Sequence, residues 1–295
     1  MIALKAVVLA LSAVSALGHQ LASRQPKRGC ATEISAAQKD AVEADFAARR
    51  TGLPAKKAAP VTIPTYFHII RAEETVDRGD IPESQVIAQM DALNAAFVNT
   101  PYTFELKETT RTTNETWFDV ASPWGDDAVY QDDMKATLRR GGRESLNLYS
   151  LGFTDVSDGL LGYSTFASSY ESNPQDDGVV FLYSTVPGGS RAIYNLGGTV
   201  SHEVGHWVGL YHTFNEGDGG EEWDTCDVST DLVDDTPAQL YPTNGCPERS
   251  DTCPDVPGDD AIHNYMDYSD DVCYNNFTPG QVERMIAQMA IYRGL

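Results

Sequence analysis

The segment "HEVGHWVGLYH", residues 202–212, limits what this chain can be more than any other feature, because it gathers three imidazoles, a carboxylate and a glycine within eleven residues. At about 3.6 residues per turn, positions four apart differ by about 40° around a helix, so His202 and His206 share one face and can reach one ion. Glu203 follows the first histidine, the position from which a carboxylate beside a metal takes a proton from a bound water. His212 lies beyond the reach of a continued helix, which would carry it about 9 Å further along the axis. The helix must therefore end. Gly209 stands where that end is needed, since glycine enters the left-handed conformation at little cost. Three neutral histidines leave a fourth tetrahedral position open for water, the layout of a catalytic rather than a structural zinc site. The rival reading is an amphipathic core helix with hydrogen-bonded histidines, and a glycine and third histidine at this spacing count against it.

A second half of such a site lies downstream in "NYMDYSDDVC", residues 264–273. Met266 is expected in a tight turn that sets a thioether beneath the histidines, a packing role rather than a metal bond. Tyr268 is placed for its phenol to hydrogen-bond a developing oxyanion. Asp270 and Asp271 are suited to favour basic side chains of a bound molecule, and equally to serve as buried ligands or caps.

The N-terminus "MIALKAVVLALSAVSALGHQ" carries Lys5, an apolar run from Ala6 to Val14 and small residues at Ala16 and Gly18, which reads as a signal peptide over residues 1–18. That run is too short to span a bilayer, so the mature protein is expected to be soluble, secreted and extracellular. Residues 19–60 are rich in Ala, Lys, Arg and Gln and read as a propeptide, with "KRG", "ARRTG" and "PAKKAAP" as exposed basic cleavage candidates. Residues 1–57 hold nine Lys or Arg and four Asp or Glu, a net of +5, which leaves −27 for the rest of a chain whose total is −22. So acidic a body repels nucleic acid and anionic membranes and offers oxygen ligands suited to calcium.

Residues 61–209 read as an N-terminal catalytic subdomain. Strands are expected at "VTIPTYFHIIRAEE", "YTFELKETTRTT", "ESLNLYSLG" and "DGVVFLYSTV", and a helix at "PESQVIAQMDALNAAFVNT", ahead of the histidine helix. A sheet laid against long helices on one side gives an α/β or α+β sandwich. "GGSRAIYNLGGTV" lacks the Lys-Ser/Thr ending of a phosphate loop and reads as a turn into the histidine helix. Residues 210–295 read as an irregular second subdomain ending in a helix, which Thr278 caps with Pro279 and Gln281 behind it.

The chain has five cysteines. Cys226, Cys246, Cys253 and Cys273 cluster late and suit two disulfides in an oxidising compartment, with three connectivities open from spacing alone. Cys30 is left over near the N-terminus as a free thiol able to bind zinc. The sequons at Asn114 and Asn276 are candidate glycosylation sites.

The string H-E-x-x-H-x-x-G-x-x-H is the metzincin signature. Together with "NYMDYSDDVC", "DLVDDTPA", "FTPGQVERM", "GLLGYSTF", "DDGVVFLYSTVPGG" and "YNLGGTVSHE", it resembles the pappalysin family of metzincins, in particular its secreted fungal-type extracellular metalloproteases. The resemblance runs from about residue 61 to the end. It implies a twisted, mostly parallel sheet with two long helices in the N-terminal subdomain and a disulfide-braced C-terminal one. It further implies zinc on His202, His206 and His212, Glu203 as general base and acid, Met266 in the turn and Tyr268 on the tetrahedral intermediate. By the same resemblance, Cys226 pairs with Cys253 and Cys246 with Cys273, and calcium sits in the following loop on Asp231, Asp235 and Thr236. Cys30 would block zinc in a latent precursor, although alanine follows it where the family motif has glycine.

The expected function is that of a monomeric metalloendopeptidase whose protein or peptide substrate adds as a strand near "GLLGYSTF". A zinc- and calcium-bound interaction module is the reading from another class, and retention of Glu203 and Tyr268 argues against it. Hydrolysis of esters or other amides at the same zinc is a third.

Overall fold

The computed structural model describes residues 27–51, 59–156, 159–216, 226 and 231–295; the signal peptide expected at residues 1–18 lies outside them. Six strands, β1 (Gly29–Cys30), β2 (Val61–Arg71), β3 (Tyr102–Thr113), β4 (Leu146–Leu151), β5 (Leu160–Ser164) and β6 (Val179–Leu182), form one sheet in the order β1-β5-β6-β4-β2-β3. Every pairing is parallel except that of β5 with β6.

Period-two alternation explains how the central strands bury both faces. Leu146 and Leu148 of β4 and Val179 and Phe181 of β6 enter one core, whereas Tyr149, Leu151 and Val180 enter another on the opposite face. The first core is closed by two helices, α2 (Glu83–Ala96) and α5 (Gly198–Trp207), through Val86, Met90 and Leu93 on one and Val200, Val204 and Trp207 on the other. The second is closed by α3 (Glu115–Val120) and α4 (Ala128–Leu138), through Trp117, Phe118, Met134 and Leu138. Helices therefore cover both sides of the sheet, where the sequence led us to expect them on one. Asn114 accepts from the Trp117 amide and so caps α3.

The long helix α6 (Pro279–Tyr292) has the expected capping box between Thr278 and Gln281. Just beyond its end, Arg293 pairs with Asp177 at 2.8 Å, and Asp177 also accepts from the Trp207 indole at 3.1 Å. Both charged side chains are fully buried, and they tie the chain's end to α5. The intervening region is largely irregular and is braced by the disulfides Cys226–Cys253 and Cys246–Cys273, the alternating pairing that the resemblance implied.

The basic N-terminal segment is more structured than its composition suggested. Helix α1 (Ala36–Arg50) begins at a Ser35/Gln38 capping box and packs Phe46 beside Ala167 and Tyr292. Ahead of it, β1 adds to β5, so the edge expected to be free for a substrate is occupied by the chain itself. The "KRG" stretch is not an exposed cleavage candidate either, because Arg28 is buried in an ion pair. Arg49 and Arg50 of "ARRTG" are exposed as expected.

Candidate active site

Helix α5 supplies two of the three imidazoles. It starts after Gly197, whose φ is +89° and whose carbonyl is held by Gln89 of α2 at 3.2 Å. Its first amide is capped by Asp271, which accepts from Gly198 N at 3.1 Å and Leu196 N at 2.9 Å. It ends at Gly209, whose φ of +103° is the left-handed turn the spacing demanded. A Cβ there would also lie 2.5 Å from Gln288, so glycine is required twice over.

The turn brings His212 back. Its Nε2 lies 3.1 Å from Nε2 of both His202 and His206. Each outer nitrogen has its own partner: Nδ1 of His202 bonds the Tyr265 carbonyl at 2.6 Å, Nδ1 of His206 the Leu210 carbonyl at 2.8 Å, and Nδ1 of His212 the Glu216 carboxylate. A ring that donates from Nδ1 presents the Nε2 lone pair inward, which is how metal-binding histidines are oriented. Burial, and then the neighbouring imidazoles, hold His202 and His206 well below the ordinary histidine pKa, so they stay neutral and able to coordinate.

Cys30 completes the group. Its sulfur lies 3.6 Å from His206 Nε2 and 3.3 Å from Glu203 Oε2, and the four donor atoms of Cys30, His202, His206 and His212 fall within 4.8 Å of one another. Three imidazoles and one sulfur form a donor set well suited to a tetrahedral, borderline-soft cation. Burial, and then the Glu203 carboxylate, push the Cys30 thiol up. Burial also pushes the Glu203 carboxyl up to about 8. Gly162 of β5 leaves room for Glu203, since a Cβ there would come within 2.9 Å of it.

Met266 lies in the expected turn: Asp267 N bonds Asn264 O at 3.1 Å, and Met266 N bonds Asn264 Oδ1 at 2.9 Å. Its sulfur sits under Gly205, where a Cβ would be 2.3 Å away. The turn also supplies the Tyr265 carbonyl that orients His202. The Tyr268 ring packs 5.0 Å from His212 and 5.7 Å from His202, and its hydroxyl donates to the Cys30 carbonyl at 3.5 Å.

Of the calcium candidates, Asp231 and Thr236 are joined by a 2.8 Å hydrogen bond, whereas Asp235 accepts from Thr278 Oγ1 and Gly280 N and caps α6. Asn276 is half-buried and donates to Asn275 Oδ1 at 2.6 Å.

Several groups escaped the sequence reading. Arg28 runs into a buried pocket, where its guanidinium lies 2.5 Å from Asp271 Oδ1 and 3.3 Å from Thr199 Oγ1, over the rings of Tyr194 and Tyr274. Thr32 donates to Glu203 Oε2 at 3.1 Å and accepts from Ser164 N at 2.8 Å. Arg28, Cys30 and Thr32 alternate, so an extended segment turns all three to one face; reading "KRGCAT" as a strand would have grouped them.

The chain is 44% identical over 271 residues to an extracellular metalloprotease of Colletotrichum graminicola, covering 90% of each. The chain belongs to the pappalysin family of metalloproteases. The family profile described as "Pregnancy-associated plasma protein-A" matches residues 145–290 of this pappalysin-family chain, the part that holds the histidines and the methionine turn. An extracellular metalloprotease of Pyricularia oryzae is 41% identical over 97% of this chain and 95% of its own. Among solved structures, a mutant of Tannerella forsythia promirolysin is similar with a TM-score of 0.70 and 26% identity, covering 90% of this chain and 95% of that one. Mature Tannerella forsythia mirolysin in complex with a cleaved peptide is similar at a TM-score of 0.63 and 27% identity, over 80% of this chain and 97% of that one. A pappalysin is a metal-dependent peptidase acting on proteins or peptides, and the histidine cluster is a group of side chains here that could hold a metal.

Proposed function

We propose that the protein is a secreted zinc-dependent endopeptidase made as a latent precursor. The observation that carries this reading is the convergence of three imidazoles, each oriented through its outer nitrogen, beside the buried Glu203. Zinc held there supplies Lewis acidity to a water and to the scissile carbonyl. Glu203 takes the water's proton and returns it to the leaving amine. Tyr268 turns its hydroxyl to the oxyanion once the Cys30 carbonyl has left. Met266 supports the ligands from below, and Gly209 provides the bend.

In the precursor, residues 19–60 act as the propeptide. Cys30 would supply a sulfur donor to the metal beside the three imidazoles, Thr32 holds the general base, and Arg28 fills the pocket of Asp271. That pocket supports a substrate preference for a basic side chain after the cut, because a buried carboxylate flanked by two rings already accepts a guanidinium. Removal of the propeptide frees β5 to pair with an extended substrate. The body then comprises subdomains 61–209 and 210–295 and acts as a monomer without nucleic acid or membrane. Among the described residues no helix is long and apolar enough to cross a bilayer. The extracellular names of its relatives support the signal peptide at residues 1–18 and secretion. Asp231, Asp235 and Thr236 are the calcium ligands proposed for the loop after His212, and Asn114 and Asn276 the sites of glycosylation.

The test is cleavage of casein and of arginine-containing peptides by processed protein. Activity is expected to disappear with a chelator, return with zinc, and fall by at least about a hundredfold in Glu203→Gln. Full activity after verified metal removal would overturn the zinc reading.

A further inference from the structure

Helix α5 separates two charged sites. At its N-terminal end Arg28 sits on Asp271 and Thr199. At its C-terminal end, about 15 Å away along the axis, the turn Gly209–Tyr211 carries a second site of opposite sign. There, Glu43 of α1 is gripped by Arg284 through both carboxylate oxygens, at 2.5 and 3.2 Å, and accepts from the Tyr211 hydroxyl at 2.9 Å. Arg284 also has partners outside α1. Its Nε donates to the Gly209 carbonyl at 3.0 Å, and its guanidinium lies 4.8 Å over the Tyr211 ring. The fork also adjoins the histidine cluster: Tyr211 immediately precedes His212, and its ring packs 5.3 Å from Phe166, which in turn packs 5.5 Å from His206.

A guanidinium fixed by a backbone carbonyl and an aromatic face, next to a phenol that donates, is a ready-made fork for a carboxylate. In a chain of net charge −22 such a site is conspicuous. An extended peptide advances about 3.3 Å per residue, so a chain crossing the metal can reach both ends of α5 within about five residues.

We propose that Arg284 and Tyr211 form a specificity subsite of the processed enzyme, which takes an acidic substrate side chain on the opposite side of the scissile bond from the Asp271 pocket. Glu43 occupies that subsite in the precursor as Arg28 occupies the other. The proposal rests on the peptidase reading given above and adds a second polarity to the substrate: a carboxylate on one side of the cut and a basic side chain on the other.

The experiment compares peptides that keep one arginine and carry Glu or Gln at each of the four positions across the scissile bond from it, cleaved by the processed, zinc-loaded enzyme. At one of those positions Glu is expected to raise kcat/KM about tenfold over Gln, mainly through KM, as befits a charge-assisted pair. Arg284→Gln should bring that ratio close to one, Tyr211→Phe should lower it, and Arg284→Lys should restore part of it. A merely structural Arg284 would lower both peptides equally and leave the ratio unchanged, which would overturn the proposal. Equal cleavage of Glu and Gln peptides by the wild type would overturn it too while leaving the peptidase reading in place. Absence of any cleavage would strike both.

Discussion

Cys30 shows how much can hang on one residue. Its sulfur touches both His206 and Glu203, so under the proposed latency one thiol would cover a metal-binding nitrogen and the general base together. Thr32 holds Glu203 independently, through the same carboxylate oxygen. Replacing Cys30 by Ser removes the soft ligand but leaves Thr32 in place. The unprocessed Cys30→Ser chain is therefore expected to show measurable peptidase activity or to be lost through self-cleavage during secretion, read as turnover of a fluorogenic peptide and as secreted yield. A stable, fully inactive precursor would show that the thiol is dispensable for latency. Cys30 was visible in the sequence because it makes the cysteine count odd. Arg28 and Thr32 were not, since their shared face exists only once the segment lies extended against β5.

Among the elements, α5 and the methionine turn depend on each other through Gly205. Alanine at an interior helical position normally gains about 1 kcal/mol over glycine. Here its Cβ would lie 2.3 Å from Met266 Sδ. Overpacking of that kind costs about 1–3 kcal/mol, so the clash should outweigh the propensity. Gly205→Ala is expected to lower the Tm and to weaken zinc in a competition titration, because the displaced turn carries the Tyr265 carbonyl that orients His202. A raised Tm would mean that the thioether is not pressed against the helix. Strands β2, β3 and β6 were legible because β-branched and aromatic runs report locally, and β4 because its leucines alternate with other residues. Helices α3 and α4 were not read, being short, rich in charge and held by few apolar positions. Helix α1 buries Phe46 alone, so its Ser35/Gln38 capping box was the sequence sign of it that the basic composition obscured.

For the molecule as a whole, the described part of the irregular segment between α5 and α6 is held by two cross-links as well as by Leu210, Met266 and Phe277 in the first core. Each disulfide spans a sequence separation of 27, and the two loops overlap. A loop of that size removes about 3–4 kcal/mol of denatured-state entropy. Paired replacement of Cys226 and Cys253 by Ser should therefore lower the unfolding free energy by about 3 kcal/mol in denaturant titration. Replacing Cys246 and Cys273 should also reduce activity on arginine peptides, since Cys273 adjoins the segment that holds Asp271. Unchanged stability in both variants would show that the loops are ordered without their bridges.

The kind and spacing of the metal-binding side chains, the glycine bend between them and the main strands were decided by the sequence alone, because each follows from helix or strand geometry over a dozen residues. The tertiary structure decided what no short window contains: that the Tyr265 carbonyl orients His202, how the late cysteines pair, and that the N-terminal segment sets Arg28 on Asp271 and Glu43 on Arg284. The disulfides span 27 positions, the His202 contact 63 and the two N-terminal ion pairs more than two hundred, so they form only when the distant segments are packed together.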